Sequence, residues 1–467
     1  MFDIKQFLEE KRACLIAPAG YGKTHTIIEC LKALRKRQLV LTHTHAGVAS
    51  LKHKLTKAKI SSSLYELSTI SAFAQRLAIS YTKSEHAAKR TVRNPEYFNW
   101  VISRAKELAG CKFIGDLIAS SYGGVIVDEY QDCTIAQHEL IVEIARQLPL
   151  RVLGDPMQGI FGFRDNPIVD FDTNLSGFSK YELSTPHRWI ETNPILGNEI
   201  ADLRQQLQSG LNIDFSRFTE IKYEHLSFTD YQRYFMELCR SLRKEGTTVV
   251  IVSDSRIREA RTSIARFFNG ACSIVEAIDD SEFYEMAQLM DYLNTETAKN
   301  NFYSIASRVF FKSGVDEWIS NKGIITKKDI VKRRLSKPLG EAMALLVNTP
   351  TPENFCRCLQ LLSKLPNVTV LNHEKYFSLL SASHIANVEG ATVLDSMVKE
   401  RDMVRGMGRK IRRFAVGTTL LTKGLEFDNV IVVNKGNKFN LKTLAGKRNF
   451  YVAISRACRK LHVIDVG

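Results

Sequence analysis

Four residues in the segment APAGYGKT, residues 17–24, carry the first chemistry of this chain. Gly20 and Gly22 permit a tight turn whose backbone N–H groups converge on a polyphosphate, and the start of a following helix adds partial positive charge. Lys23 reaches terminal phosphates and Thr24 offers a hydroxyl to Mg2+. Ala19, Tyr21 and His25 complete the cradle. Ala17 stands where the general GxxxxGK[ST] pattern has glycine, so the loop is a variant. A second acidic motif, VIVDEYQD, residues 125–132, ends an apolar run in two adjacent carboxylates. Asp128 is placed to hold magnesium and Glu129 to orient and deprotonate a water. Asp–Glu at a strand end is common on surfaces; the phosphate loop upstream is what gives it meaning.

A third segment, LGDPMQGIFGFR, residues 153–164, combines Asp155 and Gln158, suited to sensing a γ-phosphate, with Phe161, Phe163 and Arg164. Aromatics in a glycine-loosened loop beside a basic residue suit stacking on bases. Core packing of the two phenylalanines accounts for the same pattern.

The elements needed to position these residues are readable. ACLIA precedes the glycine loop, and Ile27, Ile28, Leu31 and Leu34 recur after it at helical spacing. QLVLTHT, GVIVDE and RVLGD read as strands separated by helices, which predicts a parallel sheet with both faces covered and its functional loops at the strands' carboxyl ends. A second α/β unit begins at TTVVIVSD, resumes at FAVGTTLLTKGLEFDNVIVV, and closes with a helix at NFYVAISRA and a strand at KLHVID. Helical insertions are expected at about 76–115 and 290–395.

Bulk properties narrow the classes. The length, 467 residues, allows two to four domains, and 44% hydrophobic with 25% charged residues is ordinary for a globular protein. The formal net charge of +15 favours a polyanionic partner, most simply nucleic acid. Nine scattered cysteines form no pair of CxxC units, so no zinc or iron–sulfur site is expected and the thiols are read as reduced. No run of about 20 apolar residues appears and the first residues are acidic, which reads as a cytoplasmic protein with no membrane partner.

Taken in order, the phosphate loop, the DExxQD string, GDxxQxIxxFR, TKGLEFDxV and YVAxSRA resemble the UvrD-like branch of superfamily 1 helicases. The resemblance implies a P-loop NTPase of α/β class: two RecA-like lobes with parallel sheets, each carrying a small helical insertion. The lobes would be residues 1–200 and 201–467. It implies ATP and Mg2+ in the cleft and single-stranded or partly duplex DNA across the top, moved 3′ to 5′. Carried over residue by residue, Gln158 couples the γ-phosphate to DNA, and Arg188 in STPHRW contacts that phosphate. Glu426 in KGLEF meets the nucleotide sugar, and Arg456 in AISRA is the arginine finger. His187 takes the place of the tyrosine that stacks on adenine. On the DNA side the implied contacts are Thr42, His43 and Thr44 in THTHAG, and Thr69 and Phe73 in STISAF. They continue with Phe161, Phe163, Arg164, Thr418 and Lys423. The compact chain also resembles the helicase-like subunit of Gabija-type antiphage systems, which implies an alternative role: an ATP-gated DNA sensor regulating a TOPRIM-type nuclease partner.

Overall fold

The computed structural model describes residues 2–82, 95–161, 167–210, 213–253, 259–278, 280–407 and 411–467. The chain divides into two compact units: Met1–Arg233 together with Lys423–Gly467, and Tyr234–Thr422.

The first unit is built on a six-stranded parallel sheet ordered β3-β2-β4-β5-β1-β6. Its strands are β1 (Arg12–Ile16), β2 (Gln38–Thr42), β3 (Tyr65–Thr69), β4 (Gly124–Val127), β5 (Leu150–Gly154) and β6 (Ser179–Glu182). The helices α1 (Ile4–Glu9), α2 (Lys23–Ala33), α3 (His45–Lys57), α4 (Ile70–Ser80), α5 (Pro95–Gly110), α6 (Lys112–Ser121), α7 (Ile135–Ile144) and α8 (Pro194–Ser209) belong to the same unit. Every residue of β2, β4 and β5 is buried. Such continuous burial is the mark of a central parallel strand, which needs apolar residues on both faces.

The alternation of side chains along a strand then divides the core in two. Ala13, Leu15, Val40, Ile126 and Leu153 face one cluster with Phe7, Ile27, Leu31, Leu51 and Leu55 from α1, α2 and α3. Cys14, Leu39, Leu41, Val125, Val127 and Val152 face the other, with residues of α4 to α7. The helical stretch expected at about 76–115 falls here: Val101, Ile102, Ala105 and Leu108 of α5 and Ile114 of α6 are buried in that second cluster, covering the sheet. Thr134 starts α7 with a capping box, its hydroxyl accepting from the Gln137 N–H while the Gln137 side chain accepts from the Thr134 N–H.

A second six-stranded sheet has the order β7-β14-β13-β8-β12-β9. Its strands are β7 (Ile221–Leu226), β8 (Thr248–Val252), β9 (Ser273–Ile274), β12 (Phe414–Thr418), β13 (Phe427–Lys435) and β14 (Ala457–Val466), with the two-residue strands β10 (Ile319–Ser320) and β11 (Gly323–Ile324) forming a separate antiparallel pair. Two helices, α9 (Phe228–Glu245) and α10 (Glu259–Phe267), follow β7 and β8. The second unit, to which β8, β9 and β12 belong, holds a helical block: α11 (Ser281–Asp291), α12 (Ala298–Val309), α13 (Lys312–Trp318), α14 (Ile330–Asn348), α15 (Pro352–Leu362), α16 (His373–Glu389) and α17 (Val393–Met407). It has its own core around Phe283, Phe302, Trp318 and Phe355, so it is more than a decorated loop. Its helices span Ser281 to Met407, wider than the expected 290–395. A short α18 (Thr419–Thr422) follows β12, and α19 (Leu444–Ile454) lies between β13 and β14. No helix among the described residues is long and apolar enough to cross a membrane.

Candidate nucleotide site

The candidate site gathers at the carboxyl ends of β1, β4 and β5, where an α/β sheet presents its loops. Leaving β1, the chain turns through Gly20 and Gly22, both with left-handed backbone (φ 79° and 93°). At Gly20 a side chain is excluded on steric grounds too, and at Gly22 it would crowd a neighbour. A Cβ on Gly20 would lie 2.8 Å from Arg188 Cβ and from a ring carbon of Trp189; one on Gly22 would lie 3.2 Å from His187 Cδ2. The Arg188 N–H donates to the Gly20 carbonyl at 2.9 Å, which pins the HRW segment against the loop. Gly22 caps α2 with no side-chain bond, so the first N–H groups of α2 face forward as an anion site. Thr24 and the exposed His25 follow in the first turn of that helix.

Lys23 of the loop meets both carboxylates that follow β4. Its Nζ lies 2.7 Å from Glu129 Oε1 and 3.7 Å from Asp128 Oδ1. Burial opposes the charge of Lys23, but the two carboxylates outweigh it and its pKa is raised. Burial also pushes Asp128 up, to about 6, against the pull of Lys23. Glu129 is half-buried, with its side chain 33% exposed, and against the desolvation it feels Lys23 and Lys423 hold its carboxyl well below the usual range. Glu129 is a non-glycine residue in the left-handed region (φ 53°, ψ 39°), a strained conformation of the kind found at functional sites. Its side chain is held by the Gln131 amide, which donates to Oε2.

From Gln131 the bonding continues across to β5. Gln131 Oε1 accepts from the Asp155 N–H at 3.0 Å. The Asp155 carboxylate, wholly buried, accepts from Gln158 Nε2 at 3.0 Å and from Arg204 Nη2 at 2.9 Å. Gln158 Oε1 in turn accepts from Arg456 Nη2 at 3.4 Å. Asp155 is thus fully engaged by protein donors, and Gln158 alone of the sensing pair keeps a face toward Arg456. Burial and the neighbouring Arg188 bring Arg456 down to about 10. Arg188 donates to the Ser455 carbonyl and, at 2.7 Å, to Glu426. Arg188, Glu426 and Arg456 are therefore drawn together in this unit, with Gln158 beside them. His187 sits against Gly22 and is exposed.

The residues expected on the DNA side divide into three groups. Thr44 and Thr69 are helix N-caps: their hydroxyls accept from the N–H groups of Gly47 and Ala72, each at 3.0 Å. Phe73 is buried in the core at 5% exposure, beneath the Arg76 guanidinium. Thr42 ends β2 with its hydroxyl buried. Thr418, at the end of β12 in the second unit, is buried and accepts from the Leu421 N–H at 3.4 Å.

His43, Phe161 and Lys423 form the second group. The His43 and Phe161 rings are 5.4 Å apart, and Lys423 Nζ lies 4.9 Å from the Phe161 ring centre. Burial and Lys423 lower the His43 pKa to about 4, so its ring is neutral. Lys423 itself donates to both Asp132 oxygens and to the Gln158 carbonyl, all at 2.6 Å. Phe163 and Arg164, the third group, lie outside the described residues.

Sequence reasoning did not single out Arg204, Gln131 or Tyr451. The Tyr451 hydroxyl accepts from the Ala19 N–H at 3.2 Å and so contacts the phosphate loop directly. Thr24 and Asp128 supply oxygen donors, the type a hard divalent cation takes. Among the described residues no cluster of three or more His, Cys, Asp or Glu side chains is arranged to hold a metal by itself.

A family model described as an AAA domain matches residues 3–164, which include the glycine loop and the segments after β4 and β5. Among solved structures, the Arterivirus nonstructural protein 10 helicase, in complex with DNA, is similar at 14% identity with a TM-score of 0.28. The match covers 53% of this chain and 48% of that one, about half the length of the viral protein. No curated protein matches.

Proposed function

We propose that this chain hydrolyses ATP and couples hydrolysis to 3′-to-5′ movement on single-stranded DNA, as a UvrD-like helicase or translocase of two RecA-like lobes. The observation that carries the reading is the unbroken bonding path from the phosphate-loop lysine to a second arginine: Lys23, Glu129, Gln131, Asp155, Gln158, Arg456. The AAA-domain match over residues 3–164 and the net charge of +15 support it.

In this reading the amides at the start of α2 and the Lys23 ammonium bind the phosphates, and Thr24 and Asp128 hold magnesium. The metal, when bound, would neutralise phosphate charge that develops as the terminal phosphoryl group leaves. Glu129 orients the attacking water. A polyphosphate that draws Lys23 to itself removes the main cation holding the Glu129 pKa down, and so makes that carboxylate a better base at the moment it is needed. Arg188 and Arg456 supply positive charge from the other side, with Gln158 reporting between them and the Asp155 loop.

The test is steady-state ATP hydrolysis with and without single-stranded DNA, followed by translocation on a labelled strand. DNA-stimulated hydrolysis with directional movement is expected. A rate unaffected by DNA, in protein shown to bind it, ends the motor reading. Stimulation without movement would favour the alternative of an ATP-gated sensor serving a TOPRIM-type nuclease.

A further inference from the structure

We infer that Arg204, on α8, is a positioning residue that fixes which way the Gln158 amide points, and that hydrolysis depends on it through Gln158. The inference rests on the ATPase reading above.

Asp155 has 0% exposure and its carboxylate takes three donors: the Met157 N–H at 3.1 Å, Gln158 Nε2 at 3.0 Å and Arg204 Nη2 at 2.9 Å. An ionised carboxylate only accepts, so it selects the NH2 end of the Gln158 amide. The carbonyl end is thereby left for Arg456, which can only donate. The orientation is forced because Asp155 and Arg456 want opposite ends of one amide.

Arg204 is the cation that balances this buried carboxylate. Its side chain is 10% exposed, its Nη1 donates to Gln208 Oε1 at 3.1 Å, and its guanidinium lies 5.8 Å from the Tyr451 ring centre. Tyr451 accepts from the Ala19 N–H, so one guanidinium stands against both the Gln158 support and a support of the phosphate loop.

Without Arg204, Asp155 is a buried carboxylate stripped of its partner, which is strongly disfavoured. Its carboxylate, no longer held by the guanidinium, turns and ceases to fix the NH2 end of the amide. The Gln158 amide can then turn over, presenting its NH2 to the Arg456 guanidinium, donor against donor. The contact between Gln158 and Arg456 is lost although neither residue has been changed.

The experiment is a double-mutant cycle on hydrolysis by the full chain: wild type, Arg204→Met, Gln158→Ala and the double variant, with Arg204→Lys beside them. In Arg204→Met we expect kcat to fall by about 10²-fold, the scale of a misplaced catalytic group. KM for ATP should stay within about threefold, since the phosphate-binding residues are untouched. In the Gln158→Ala background the same change should lower kcat by no more than about twofold, because Gln158 is the route of the effect. Arg204→Lys keeps the charge and should hold kcat within about fivefold of wild type.

Equal losses in the two backgrounds, or an unchanged kcat in Arg204→Met, overturn the proposal while leaving the ATPase reading in place. If Arg204→Met does not fold, Arg204→Lys decides alone: a native melting profile with kcat down as far as in Gln158→Ala overturns it. Wild-type protein that does not hydrolyse ATP would remove the reading itself, and this inference with it.

Discussion

Lys423 is where two accounts of this molecule diverge, and the size of the difference can be worked from the structure. Its ammonium lies 2.6 Å from both oxygens of Asp132 and from the Gln158 carbonyl, and the two side chains are 9% and 3% exposed. At an effective dielectric near 20 a unit charge pair at that distance attracts by about 6 kcal/mol before desolvation is counted. Most of that offsets the cost of burial, but removing one partner of such a pair typically costs about 3–5 kcal/mol. The cost must also depend on pH. Burial raises the Asp132 pKa to about 6 even with Lys423 in place, with Glu129 adding to the rise and Lys23 opposing it. A carboxyl raised in the folded state contributes stability that is present below its unfolded value and lost as pH rises through the folded one.

In Lys423→Met (K423M) the Asp132 pKa rises further, so the loss extends to higher pH. The expected destabilisation is therefore about 1 kcal/mol near pH 5.5, where Asp132 takes a proton, and about 3–5 kcal/mol near pH 8. Urea unfolding at the two pH values measures it. The double change K423M with Asp132→Leu should recover most of the loss at high pH, since a buried pair replaced by apolar residues is often neutral. A K423M variant with an unchanged urea midpoint at both pH values and weakened single-strand binding would refute this reasoning. It would make Lys423 a free DNA-backbone contact.

Three further outcomes are expected. Glu129→Gln (E129Q) should keep ATP binding and lose hydrolysis by at least about 10²-fold, as for a positioned base, in a steady-state assay; near-normal turnover would take that role from Glu129. His43, held to a pKa of about 4, contributes stability that is present above its unfolded value and lost as pH falls through the folded one. His43→Gln should therefore flatten melting curves between about pH 6.5 and 4 by roughly 3 kcal/mol relative to wild type, and parallel curves would refute it. Gly22→Ala should cost about 1–2 kcal/mol from its left-handed backbone, with ATP affinity reduced as well; an unchanged melt would show that the turn relaxes freely.

Much of the first sheet was legible because its signal is local. Runs such as LVLT and VIV are buried on both faces, and the glycine and acidic loops begin where those runs stop. The edge strands β6 and β7 escaped because SKYE is mostly polar, IKYEHL alternates polar with apolar, and both are only partly buried. For Thr44 and Thr69 the local signal is a helix cap as much as a DNA contact. Each is a threonine just ahead of a helix, and each turns out to cap that helix. The cap uses the hydroxyl oxygen as acceptor and leaves its proton free to donate, so capping and a DNA contact are compatible. Phe73 is different: with Ile70, Ala74 and Leu77 it forms the buried stripe of α4. Arg204 had no signal at all. It sits in an ordinary polar helix, and its partner is 49 positions away.

The choice of residue at position 131 shows why such a site is specified by bonding requirements more than by any one motif. Gln131, 1% exposed, faces a carboxylate on one side and a backbone N–H on the other. Only a group that donates at one end and accepts at the other satisfies both. Glutamate would set an acceptor against Glu129, and methionine would leave the Asp155 N–H without its partner. The fit is tight enough to constrain the neighbouring strand as well: a Cβ on Gly154 would lie 2.5 Å from Gln131 Oε1. Gly154 is thus required by the amide that joins the loop after β4 to the loop after β5. The same logic of opposite ends governs Gln158, between Asp155 and Arg456. Two glutamine amides in series, each with one permitted orientation, connect Lys23 to Arg456 by way of Glu129 and Asp155. A rearrangement at either end must then break or turn a bond in the chain, which is what the proposed coupling of hydrolysis to movement would require.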